Sequence, residues 1–99
     1  FGFRVTAAEA AGFRAGVFRA GRRGLAETDR SAIAAALAGG SGAGLVVRAS
    51  GGVRAYWQND VQFAGATLTP GRYFYAVRLA AETNPRRTTL LVGTPFRVR

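Results

Sequence analysis

The chain has 99 residues, 14 basic against 5 acidic, for a formal net charge of +9, and every basic residue is Arg because the sequence contains no Lys, His, Cys or Met. That length makes one small domain and excludes two separate cores, and 48% hydrophobic residues against 19% charged excludes a chain disordered through charge. Missing Cys rules out a disulfide framework, and missing Cys and His leave only carboxylates among the usual zinc ligands, so neither a metal nor another cofactor is expected.

No apolar run approaches the ~20 residues that span a bilayer, and no basic segment leads into an apolar one, so a soluble chain without membrane contact is expected. It opens on Phe1, which suggests a processed product or a part of something longer. A pI near 11.8 invites a nucleic-acid reading. However, abundant Arg, Ala and Gly with no Lys and a single Ile is the pattern of GC-rich coding bias. Apart from Arg22-Arg23 and Arg86-Arg87, the arginines are also isolated along the chain. Nucleic acid is therefore a partner to keep in view, not the favoured one.

In chain order, Phe1, Phe3 and Val5 alternate with Gly2, Arg4 and Thr6, the period of a half-buried strand. Thr6 with Glu9 has the spacing of a capping box for a short helical turn. Phe13, Ala15 and Val17 against Arg14, Gly16 and Phe18 predict a second strand, and Gly21 to Gly24 a loop tip. Residues 29 to 38 predict one helix, with Thr28 or Asp29 as cap, Ile33 and Leu37 on one face, and Gly39-Gly40 as its stop. The glycines from 39 to 44 follow a helix and precede a strand, the reverse of a phosphate-binding loop, so they read as a connector.

From residue 45 the pattern is all strand. Gly51-Gly52 between Leu45–Ser50 and Val53–Trp57 predicts a hairpin, Gln58-Asn59-Asp60 a turn, residues 61 to 64 a short strand, and Thr69-Pro70-Gly71 a tight turn. Arg72 to Ala81 is the longest predicted strand, with Tyr73, Tyr75, Val77 and Leu79 on one face and Arg72, Phe74, Ala76 and Arg78 on the other. Asn84-Pro85 turns the chain into strands at 88 to 92 and 95 to 99, kinked at Gly93 and Pro95. Many short strands with regular turns predict an all-β antiparallel sandwich or barrel, with the helix covering an open end or linking two sheets.

Without His, Cys or Lys the common general bases and nucleophiles are missing, and Glu9, Glu27, Asp29, Asp60 and Glu82 are expected at turns, caps or helix starts, so no catalytic residue is expected. Contact chemistry is the alternative. Arg72, Phe74 and Arg78 on the outward face of the long strand, Trp57 at a strand end, and Arg86 and Arg87 in a turn make a candidate contact surface, because interfaces are enriched in aromatics and Arg. Two other readings use overlapping residues: a polyanion or nucleic-acid site at Arg22, Arg23, Arg86 and Arg87, and carbohydrate stacking on Tyr56, Trp57 and Phe74.

The run from Ala66 to Leu79, with Gly71, Tyr73 and Tyr75, and the run from Leu90 to Val98, with Gly93, Phe96 and Val98, resemble immunoglobulin-like domains of bacteriophage structural proteins. In those domains a turn ending in Gly precedes a Tyr-x-Tyr strand, and a later strand closes on x-Phe-x-Val. The resemblance covers about the second half of the chain. It implies an immunoglobulin-like β-sandwich with an inserted helix, and a structural or attachment role in the virion as a fibre, head-decoration or baseplate component. Such domains contact other particle proteins and commonly form homo-oligomers.

Overall fold

Each of the longer strands is written twice in the sequence, once for each face. In the computed structural model, which describes residues 2–7, 9–21, 24–39, 42, 44–56, 59–63, 68–84 and 86–99, the elements run β1 (Gly2–Val5), β2 (Ala11–Arg19), α1 (Arg30–Gly39), β3 (Leu45–Val53), β4 (Asn59–Gln62), β5 (Gly71–Ala81), β6 (Thr88–Val92) and β7 (Phe96–Val98). The strands form two antiparallel sheets. One is the pair β1-β4, and the other has the order β3-β2-β5-β6, with β7 continuing the β6 edge along the start of β5. The fold is the expected all-β sandwich with one short helix.

Odd-numbered residues of β2 and β5 face the small sheet, as do Phe96 and Val98 of β7. Ala15 and Val17 of β2, Val53 of β3, and Tyr73, Val77 and Leu79 of β5 pack with Val5, Val61 and Phe63 in the first core. Even-numbered residues form a second core: Phe18, Phe74 and Ala76 pack against Ile33, Ala36 and Leu37 of α1, with Leu45, Leu90 and Val92 around them. The helix thus neither covers an open end nor links the sheets, as the sequence suggested, but forms a third layer on the outer face of the large sheet.

A ten-residue helix is marginal by itself. Asp29 Oδ1 accepts the Ala32 N–H at its start (3.3 Å), Arg30 donates to the Leu90 carbonyl, and Arg14 donates to the Ala38 carbonyl at its end. The last helical turn has no basic residue of its own, so Arg14, reaching up from β2, supplies the cation that the negative helix end favours. Close approach requires Gly16, where a Cβ would lie 2.6 Å from Leu45 Cδ1 and 3.1 Å from Leu37 Cδ2.

Three local expectations fail for physical reasons. Gly51-Gly52 is not a hairpin turn: β3 runs straight through it, opposite Phe13 and Gly12. A Cβ at Gly51 would lie 3.0 Å from the Phe13 ring, so this glycine is there to admit an aromatic. Asn59 and Asp60 open β4 instead of forming a turn. The Asn59 side chain accepts from Arg54 N (2.9 Å) and donates to the carbonyls of Arg54 (3.0 Å) and Val5 (3.2 Å), tying the preceding connection to β1. Thr6 and Glu9 start no helix; Glu9 pairs with Arg87 instead.

Replacing Gly16 by Val is expected to lift α1 and to cost about 1–3 kcal/mol, the penalty of overpacking. Chemical denaturation, with far-ultraviolet circular dichroism following the helix, measures it.

Candidate contact surface

Alternation along β5 correctly sets Arg72, Phe74 and Arg78 on one face, but that face is not a continuous surface. Phe74 is 0% exposed, stacked on Phe18 with ring centroids 5.3 Å apart beneath α1. It therefore leaves both the contact surface and the carbohydrate reading. The sequence showed which face Phe74 shares but not what lies over it. Arg72 and Arg78 are separated along the strand by about 20 Å at ~3.3 Å per residue, with Phe74 and Ala76 between them packed under α1. Arg72 is exposed opposite Arg97, and Arg78 is half-buried opposite Arg14. Arg86 is exposed in the β5–β6 connection, where Arg87 is engaged by Glu9. Trp57 lies outside the described residues.

Of the polyanion set, only Arg86 and Arg87 fall among the described residues; Arg22 and Arg23 lie outside them. Arg86 and Arg87 lie past Ala81, at the far end of the eleven-residue β5. Tyr56 is 80% exposed and holds φ at 59°, an uncommon conformation for a side-chain-bearing residue.

Of the remaining tyrosines, Tyr73 belongs to the core and the half-buried Tyr75 packs against it. Tyr73 is fully buried and its hydroxyl donates to the Thr69 carbonyl (2.7 Å), while Arg19 donates to the same hydroxyl (3.3 Å) and lies 5.3 Å from the ring centroid. Tyr75 stacks on Phe96 at 4.8 Å and faces Phe63 at 6.0 Å. Burial pushes the Tyr75 hydroxyl above its ordinary value of 10.0.

Register reveals what spacing could not: an arginine field on the helix-side face of the large sheet, beyond the end of α1. Arg14 of β2 lies directly opposite Arg78 of β5 and Ser50 of β3, and Arg48 of β3 is opposite Gly16, two pairs along. Like charges in direct cross-strand opposition repel. The five acids of the sequence lie elsewhere: Glu9 with Arg87, Asp60 with Arg4 (3.2 Å), Asp29 at the helix start, Glu27 just before it, and Glu82 past the end of β5. Asp60, on β4, is the one acid that departs from the expected turns and caps. A cavity of about 500 Å³ opens between this field and the helix end, walled by Leu37 and Leu45 and carrying Arg14, Arg48 and Ser50. The only advance signal is the even-numbered placement of Arg14 and Arg78, since local spacing does not say which strands are neighbours.

The two edges of the large sheet differ. On one, β6 and β7 are separated at Gly93 to Pro95, which breaks the ladder. On the other, β3 pairs with β2 alone, in unbroken register from Val47 to Val53, and has no outer partner strand among the described residues. A shift between Val17 and Phe18 leaves Val46 without an opposite residue and 43% exposed. Searches of protein-family models, curated proteins and solved structures returned no match to this chain.

Replacing Phe74 by Ala is expected to cost about 3–5 kcal/mol in thermal or denaturant unfolding, as for a large core truncation; an exposed contact residue would cost almost nothing. For Tyr75, the folded state holds the phenolic proton more tightly than the unfolded state, so stability is expected to fall as pH rises above 10.0. Replacing Tyr75 by Phe should flatten that part of the pH-stability curve.

Proposed function

We propose that this domain is a non-enzymatic structural or attachment module of a phage-like virion, working through protein–protein assembly as a fibre, head-decoration or baseplate component. The carrying observation is the asymmetry of the sheet edges: one is interrupted by a Pro-containing kink, while β3 offers Val47–Val53 in continuous register, paired on one side only among the described residues. Open edges are templates for strand addition, and proteins without a use for them usually blunt them.

The immunoglobulin-like reading has two supports. The order β3-β2-β5-β6 facing β1-β4 matches the C′-C-F-G strands of a variable-type immunoglobulin domain facing its B-E pair. Tyr73, near the start of β5 and bonded to the carbonyl four residues upstream, stands where such domains carry their corner tyrosine. Four residues that carry the phage resemblance also meet in space: Gly71 opposes Val98, Tyr73 opposes Phe96, and the Phe96 ring lies 6.1 Å from that of Tyr73. In this reading the partners are other particle proteins, the location is the virion, and repeated copies would let a weak interface per domain add up.

Density-gradient fractionation of cells expressing the native gene tests this proposal. The gene product is expected to co-sediment with assembled particles and to label at a discrete position on them by immunoelectron microscopy. A product found only in the slow-sedimenting monomer fraction, with particles of normal composition lacking it, overturns the reading.

A further inference from the structure

The β3 edge and the arginine field are next to each other. Arg48 and Ser50 project from β3 on the helix side, Arg14 lies one strand inward, and the 500 Å³ cavity opens among them at the end of α1. A strand added outside β3 would lie about 4.8 Å from it, placing alternate side chains over this cavity beside Arg48 and within reach of Arg14, whose long side chain already extends to the helix end.

Charge selects among occupants. A second copy of this chain brings another +9, and in the register that centres two β3 strands on Arg48 it sets arginine against arginine, so like charge disfavours self-pairing. A segment with carboxylates at every second position meets the opposite condition. Its main chain completes the ladder of β3, its carboxylates accept from the Arg48 and Arg14 guanidiniums and from Ser50 Oγ, and its other side chains pass over the opposite face of the edge. Guanidinium is suited to this because its planar fork matches a carboxylate through two hydrogen bonds. Leu37 and Leu45 wall the helix side of the cavity, while Arg14, Arg48 and Ser50 are exposed to an incoming segment.

We infer that the β3 edge with Arg14, Arg48 and Ser50 is a docking site for an extended acidic segment of a partner protein, added as an antiparallel or parallel strand beside β3. The site rests on the attachment reading above and specifies its surface and the chemistry of its partner.

The test uses the full chain and three probes: a synthetic peptide of alternating Glu and Thr, its Gln/Thr analogue, and a single-stranded DNA oligonucleotide. The acidic peptide is expected to bind, to slow amide hydrogen exchange across Val47–Val53, and to lose about tenfold in affinity with Arg48→Gln, the loss of one charge-assisted contact. Arg14→Gln should weaken binding similarly, and Arg86→Gln, at the far turn, should leave it unchanged. Because Arg14 also holds the helix end, Arg48→Gln is the decisive variant, with circular dichroism showing that each protein is folded. Equal binding of the Gln/Thr peptide, unprotected β3 amides, or indifference to Arg48→Gln overturns the site. Tighter binding of the oligonucleotide through the same arginines also overturns it, in favour of a nucleic-acid surface. Peptide binding that depends on Arg48, in a protein that never joins particles, upholds the site and removes the virion reading. Particle association that survives both Arg48→Gln and Arg14→Gln does the reverse.

Discussion

Everything in this domain is arranged around the pairing of β2 with β5. The two strands run side by side from Ala11–Ala81 to Arg19–Tyr73, each has a neighbour on its other side, and the pair carries a core on both faces. Strands covered on both faces cannot follow a simple apolar-in, polar-out rule. This is why Phe18 and Phe74 appear at positions where one-sided alternation puts solvent. Their stacked rings are the floor on which α1 rests, and Gly16 and Ala76, beside them, are small enough to let the helix come down.

That arrangement also explains how far the sequence could be read. Strand periodicity gave β1, β2, β5, β6 and β7 nearly in place, and the Ala-rich run with Ile33 and Leu37 gave the helix. Face membership on β5 was legible because alternation is local. What α1 covers was not, because that depends on where a helix between β2 and β3 folds back. The Gly51-Gly52 error has the same origin. Two glycines between apolar runs fit a turn equally well by local chemistry, and only the Phe13 ring across the ladder shows that they form a flat stretch of strand. Asn59 looked like a turn former and does close a turn, but from within β4, through its side chain.

The arginines illustrate the difference between charge as composition and charge as geometry. Along the chain they are dispersed, and several have ordinary structural work: Arg19 against Tyr73, Arg14 and Arg30 at the helix ends, Arg4 and Arg87 in ion pairs. Antiparallel register then sets Arg14 beside Arg78, with Arg48 two pairs away, in a part of the sheet that the short helix leaves uncovered. The candidate surface consequently moves from the outward face of β5, where Phe74 is unavailable, to the β3 side of the sheet. The sequence did not locate the field because register, not spacing, brings these residues together.

The central pairing also governs how the molecule can be made. β2 lies near the beginning of the chain and β5 near its end, with the helix, β3 and β4 between them. Both hydrophobic cores take residues from β5, so neither can close until β5 is present, and closing them carries the entropic cost of a long loop. High contact order of this kind slows folding and prolongs the exposure of unpaired strands. On the ribosome, β2 and the apolar stripe of α1 emerge well before the strand that will hold them. During that interval, the arginines dispersed along the chain do a second job, keeping chains of the same sign apart until β5 arrives.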